Sequence, residues 1–137
     1  MDLNLKGHRA LITGASKGIG FAVAKSLLSE GCDVHLVART ASTLEEAASR
    51  LKALNSGVVT YSAVDLSESS NISHLLDEVG EINILVNNAG AIPGGDLQTI
   101  DEKKWRDAWD LKVFGYINLS RAVYQQMSTS QSGVIIN

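Results

Sequence analysis

Apolar and polar positions follow two rhythms along this chain, and the two take turns. Short apolar runs bounded by turn residues read as buried strands: Ala10, Leu11 and Ile12 stopping at Thr13, V-H-L-V-A over 34–38, the β-branched V-V-T-Y-S-A-V over 58–64 ending at Asp65, I-N-I-L-V over 82–86, and G-V-I-I-N over 133–137. Between them the apolar residues fall at helical spacing. Ile19, Ala22, Val23 and Leu27 predict a helix over about 18–30 that Gly31 ends, and Leu44, Ala47, Ala48, Leu51 and Leu54 predict one over 43–54 with Ser42 as N-cap. Ile72, Leu75, Leu76 and Val79 predict a third helix, opened by Ser67 or Ser69. After a loop over 91–100 that holds Pro93, Asp101 caps a long predicted helix reaching to about Met127, with Trp105, Ala108, Trp109, Val113, Leu119, Ala122 and Val123 among its apolar positions.

The order is therefore βαβαβαβαβ, without repeats or low-complexity segments. Alternation with short turns and near-continuous apolar strands implies an α/β domain, a parallel sheet with helices on both faces. Ligands of such sheets bind in the crevice beyond the C-terminal strand ends. Four features fall at that edge: a glycine turn after Thr13, Arg39, Asp65, and N-N-A-G over 87–90.

Composition narrows the class. At 137 residues the chain is expected to form one domain, 1–137; 45% hydrophobic and 20% charged residues are ordinary for a globular protein. The net charge of −3 carries no electrostatic footprint for nucleic acid. No apolar leader opens the chain and no apolar run approaches a membrane span, so a cytoplasmic protein without membrane contact is expected. Cys32 stands alone and reads as a buried thiol, while His8, His35 and His74 have no ligand spacing, so no metal is expected.

The chemistry lies at the sheet edge. Gly14, Gly18 and Gly20 sit between a strand and a helix start, where free N–H groups and the positive helix end favour a phosphate. The first glycine allows the turn, the second a close approach by pyrophosphate, and the third lets helix pack on strand. At the end of the second strand, where a carboxylate would bind a ribose 2′-hydroxyl, stand Ala38 and Arg39, and Lys17 adds a cation in the glycine turn. Two cations and no anion favour NADP(H) over NAD(H). Asp65 can cap the following helix or accept from an adenine amino group. Asn87 and Asn88 can serve turn chemistry, or a close contact with a ligand.

T-G-A-S-K-G-I-G (13–20), D-L (65–66) and N-N-A-G (87–90) resemble, in this order and spacing, the short-chain dehydrogenase/reductase family of the classical type. The resemblance implies a Rossmann-type doubly wound sheet of order 3-2-1-4-5. It implies Gly14, Ser16, Lys17 and Ile19 around the phosphates and ribose, and Arg39 at the 2′-phosphate. Asp65 and Leu66 would meet the adenine, and Asn87, Ala89 and Gly90 the two riboses. A parent enzyme would move hydride between NADPH and a small carbonyl or alcohol.

The chain also departs from that family. Its catalysis uses a Ser after the fifth strand and a Tyr-x-x-x-Lys; here Tyr61, Tyr116 and Tyr124 are followed four residues on by Asp65, Ser120 and Ser128. No catalytic residue is assigned, and the chain is expected to be inactive alone, as a fragment truncated after the fifth strand or as a non-catalytic NADP(H)-binding module. Lys112 occupies a position where the family usually has Asn; it reads as a surface residue or as a perturbation of the family's proton relay. Asn118 cannot replace that Asn, since six residues turn a helix through about 600°. The first sheet face over strands 4 and 5 is expected to lack a helix. The 101–127 helix, with Trp105 and Trp109, is a candidate homo-oligomer surface.

Overall fold

The computed structural model describes residues 3–137, leaving Met1 and Asp2 outside the described residues. Among the described residues five strands and five α-helices follow in the order β1 (Arg9–Thr13), α1 (Gly18–Ser29), β2 (Asp33–Ala38), α2 (Ala41–Lys52), β3 (Val59–Ala63), α3 (Ser70–Val79), β4 (Ile84–Val86), α4 (Glu102–Trp109), α5 (Tyr116–Ser130) and β5 (Val134–Ile136), strand and helix alternating except where α5 follows α4. All pairings are parallel, in the order β3-β2-β1-β4-β5, with Leu11 opposite His35 on one side and Leu85 on the other. This is the expected Rossmann-type α/β sheet.

Side-chain alternation divides the core into two layers. Ala10, Ile12, Val34, Leu36 and Val59 point to the face covered by α1 and α2, where they meet Ala24, Leu28, Leu44 and Leu51. Leu11, Val37 and Leu85 point the other way, onto Leu75 and Val79 of α3 and Leu119 and Val123 of α5. Each valine, leucine or isoleucine among them contributes about 1.5–3 kcal/mol by leaving water. Cys32 is a buried free thiol, its pKa pushed up by burial. On β5, Ile135 packs into the second layer while Val134 and Ile136 remain about half exposed on the first face, as its expected lack of cover there implies.

Helix ends depart from expectation in instructive ways. α1 closes as the Gly31 signal predicts, with Gly31 at φ +86° and Cys32 N–H donating back to Leu27 O. α2 begins before Ser42: Thr40 is the extended N-cap residue, and its carbonyl accepts from both Leu44 N and Thr43 Oγ1. Ser69 precedes α3 without a side-chain cap, while Ser67 turns back to Asp65. Asp101 does cap α4, accepting from Lys104 N at 2.8 Å. The single long helix is interrupted: between α4 and α5 runs a π-turn, Asp110–Gly115. Leu111, Gly115, Leu119, Val123 and Met127 recur every fourth residue on the buried side. That spacing exceeds the 3.6 of an α-helix, and a turn with i→i+5 bonding takes up part of the excess.

Candidate functional site

Thr13, the last residue of β1, organises the floor of the site. Its fully buried hydroxyl accepts from Asn88 N and Ala89 N, each at 2.9 Å, and donates to Val86 O at 3.4 Å. Asn88 Nδ2 returns two bonds, to Thr13 O at 3.1 Å and Gly14 O at 3.3 Å. The N-N-A-G turn is thereby fastened to the glycine turn. Gly14 lies at φ +64°, and a β-carbon there would come within 2.9 Å of Ala89 Cα. On Gly20 it would run into Gly14 O and Asn88 Nδ2, which is how α1 packs close to β1. Gly18, at φ +59°, faces open space. Two glycines lock the turn together and the third leaves room above it.

The resulting crevice, about 480 Å³, lies at the C-terminal strand ends. Of the residues singled out in the sequence, Gly14, Ser16, Lys17, Gly18, Ile19, Arg39, Leu66, Ala89 and Gly90 line it. Gly20 lies beneath it, in the packing of α1 on the turn. Asp65 opens instead onto a neighbouring cleft that shares Arg39 and Leu111. Its Oδ1 accepts from Ser67 Oγ at 2.7 Å and Ser67 N at 3.0 Å, a local turn ahead of α3 rather than a cap of that helix. Those bonds, with Arg39 adding to them, hold its carboxyl below the usual carboxylate range.

The two asparagines divide the labour. Asn88 lines the crevice, while Asn87 is buried behind it. Asn87 N donates to Ile136 O at 2.8 Å, and its Nδ2 donates to Ser120 Oγ at 2.9 Å and Asn137 Oδ1 at 2.8 Å. Its Oδ1 is buried with no partner among the described residues. Ala38, named with Arg39 in the sequence, lines it too, while sequence reasoning passed over Val37, Thr40, Thr43, Val64 and Leu111, which also line the crevice. Their position at strand ends was the available signal for all but Thr43, which α2 delivers, and Leu111, which the π-turn delivers.

The crevice is electropositive. α1 has Lys17 as its N-cap residue, with no side-chain cap and no acidic residue in its first turn, so its leading amides and dipole stay free for an anion. Among the described residues, no carboxylate lies within ion-pair distance of Lys17, Arg39 or Lys112. Lys112 sits in the π-turn beside Gly90, and Gly115 of that turn approaches Leu66, where a β-carbon would lie 3.0 Å from Leu66 O. Among the described residues no group of three or more His, Cys, Asp or Glu could hold a metal, and no helix is long and apolar enough to cross a membrane.

A nucleotide-type crevice on a parallel sheet of this order defines a class, and comparison with known proteins gives the family. The family model described as short chain dehydrogenase matches residues 8–137, and the chain belongs to that family. It is 34% identical over 140 residues to the uncharacterized oxidoreductase YvrD of Bacillus subtilis (strain 168), an alignment covering all of this chain and 52% of that protein. It is 32% identical to the 3-oxoacyl-[acyl-carrier-protein] reductase FabG of Escherichia coli (strain K12), over 98% of this chain and 55% of that one. The L-sorbose reductase of Gluconobacter frateurii, solved with NADPH and L-sorbose, superposes with a TM-score of 0.92 at 34% identity, over 98% of this chain and 53% of that one. A metagenomic short-chain oxidoreductase in complex with NADP gives a TM-score of 0.88 at 36% identity, over 97% and 62%. The chain spans about half the length of the curated relatives it matches.

Proposed function

We propose that this chain is the NADP(H)-binding part of a short-chain oxidoreductase that moves hydride between NADPH and a carbonyl or alcohol. One observation carries the coenzyme choice: at the end of β2, where a carboxylate would select the 2′-hydroxyl of NAD, Arg39 stands instead, and Lys17 lines the same crevice. A guanidinium presents a fixed fork of donors suited to a phosphate, and a neighbouring ammonium adds a movable charge. The open space over Gly18 and the uncapped start of α1 fit a pyrophosphate. Exposed Ile19 offers an apolar contact beside them. The NADP and NADPH held by two similar solved proteins support the same choice.

In this reading Gly14, Ser16, Lys17, Gly18, Ile19, Arg39, Leu66, Ala89 and Gly90 bind, and Gly20, Asp65 and Asn87 hold the walls they bind from. The coenzyme, when bound, supplies or accepts the hydride. The chain's own part is to grip it and fix its direction across the strand ends. Trp105, Trp109, Phe114 and Ile117, exposed along α4, the π-turn and α5, are proposed as the face for a second copy.

The coenzyme choice is tested by affinity. Retention on immobilised 2′,5′-ADP and poor retention on 5′-AMP is the expected result, with Arg39→Ala reducing that preference about tenfold or more. Equal retention on both supports, or preference for 5′-AMP, overturns it.

A further inference from the structure

Lys112 is a charged residue beside the crevice that the coenzyme reading leaves without a task, and the structure gives it a definite place. The π-turn brings it against the N-N-A-G turn. Its stem crosses Gly90, where a β-carbon would sit 3.2 Å from Lys112 Cδ and 3.7 Å from its Nζ. The ammonium donates to Tyr116 Oη at 3.4 Å and lies 5.1 Å from the centre of that ring. Among the described residues it has no carboxylate partner. A charge is thus held at the crevice rim by a phenol, with most of its hydrogen-bonding capacity unspent.

Strand order says which part of an extended guest this rim would meet. Arg39 follows β2, the glycine turn follows β1, and Gly90 follows β4, and these three strands are neighbours in the order β2-β1-β4. A dinucleotide with its phosphorylated adenosine at Arg39 and its pyrophosphate at Gly18 must run on over Ala89 and Gly90. The half beyond the pyrophosphate is rich in hydroxyl and amide oxygens. Lysine, a compact charge with three rotatable donors on a flexible stem, suits such a surface.

We propose that Lys112 binds the nicotinamide-ribosyl half of the dinucleotide, its ammonium donating across Gly90 to oxygen atoms of that half, with Tyr116 steadying the ammonium. The inference rests on the coenzyme reading above and adds to it a contact made by this chain's own lysine.

The test separates the charge from the stem. Lys112→Met keeps the methylene packing over Gly90 and removes the ammonium, whereas Lys112→Arg keeps a charge. Binding of NADPH and of 2′,5′-ADP, which lacks the nicotinamide half, is measured by calorimetry for all three chains. The expected result is that Lys112→Met weakens NADPH about tenfold, leaves 2′,5′-ADP within about twofold, and flattens the salt dependence of NADPH binding, with Lys112→Arg restoring most of the loss. If Lys112→Met binds NADPH like the parent chain, or loses both ligands alike, the inference is overturned while the coenzyme reading stands. If the parent chain fails to bind 2′,5′-ADP, the coenzyme reading falls and this inference with it.

Discussion

The two ends of the parallel sheet treat their polar groups in opposite ways. Towards the N-terminal end, Arg9 Nη1 donates to Val79 O at 2.7 Å, Arg9 N to Asn83 Oδ1 at 2.8 Å, and Val58 N to Asp33 Oδ1 at 2.9 Å. Buried His35 has Thr60 Oγ1 at 2.7 Å from one ring nitrogen and Ser62 Oγ at 2.8 Å from the other. These groups tie strand to strand and strand to helix. At the C-terminal end Lys17, Arg39 and Lys112 form no close ion pair among the described residues, Arg39 acting on the Asp65 carboxyl only from a distance, and α1 begins uncapped. A polar group that is satisfied internally lends stability; one left to solvent at the rim of a crevice is available to a guest. The same fold carries both arrangements, and the contrast locates function without reference to any motif.

The largest test of that contrast strikes the joint between the two turns. Gly14→Ala forces a side chain into the left-handed region and against Ala89, and should cost about 2–5 kcal/mol from strain and overpacking together. Denaturant midpoints read the stability, and retention on 2′,5′-ADP should fail even where the chain remains folded. A stable, fully binding variant would mean that the two turns are not locked as described. Thr13→Val is milder: it conserves shape but strands the Asn88 and Ala89 amides, for about 2–3 kcal/mol, with nucleotide affinity falling further than that of a distant core variant of equal stability.

The smallest effect belongs to the other end and depends on pH. Burial holds the His35 pKa below its ordinary 6.5; Arg9 works in the same direction and Glu78 against it. In the folded chain the ring therefore stays neutral to lower pH than in the unfolded chain. Below about 6.5 the unfolded state takes up the proton first, so stability falls as pH drops through that value and is level for this group above it. Melting temperatures between pH 7.5 and 5 should show that slope, and His35→Gln should flatten it without altering nucleotide binding at neutral pH. An unchanged slope in the variant would assign the effect to another group.

Much of this was legible in the sequence, for identifiable reasons. Strands such as Val34–Ala38 are buried on both faces and so read as unbroken apolar runs, and the Gly31 signal ended α1 where a left-handed residue was needed. The π-turn was not foreseen, although its cause was visible: buried residues at every fourth position from Leu111 to Met127 overrun an α-helix. At the site, the glycine turn, Arg39 and the N-N-A-G turn converge on one crevice as the alternation of elements required. Which of two adjacent asparagines faces the crevice was not readable, because it is set by the Thr13 hydroxyl, a contact from across the chain. The settled state of Asp65 was equally hidden, since its partner is a serine two residues on rather than a cap of the next helix.

That hydroxyl has a consequence for how the binding surface comes into being. Thr13 and Asn88 are 75 positions apart, so the floor is absent until β4 has docked beside β1 and a long loop has been closed. The glycine turn by itself, however well formed early in synthesis, presents half a grip. Nucleotide affinity therefore requires both turns together, and any molecule that spans them raises the population of the assembled chain by mass action.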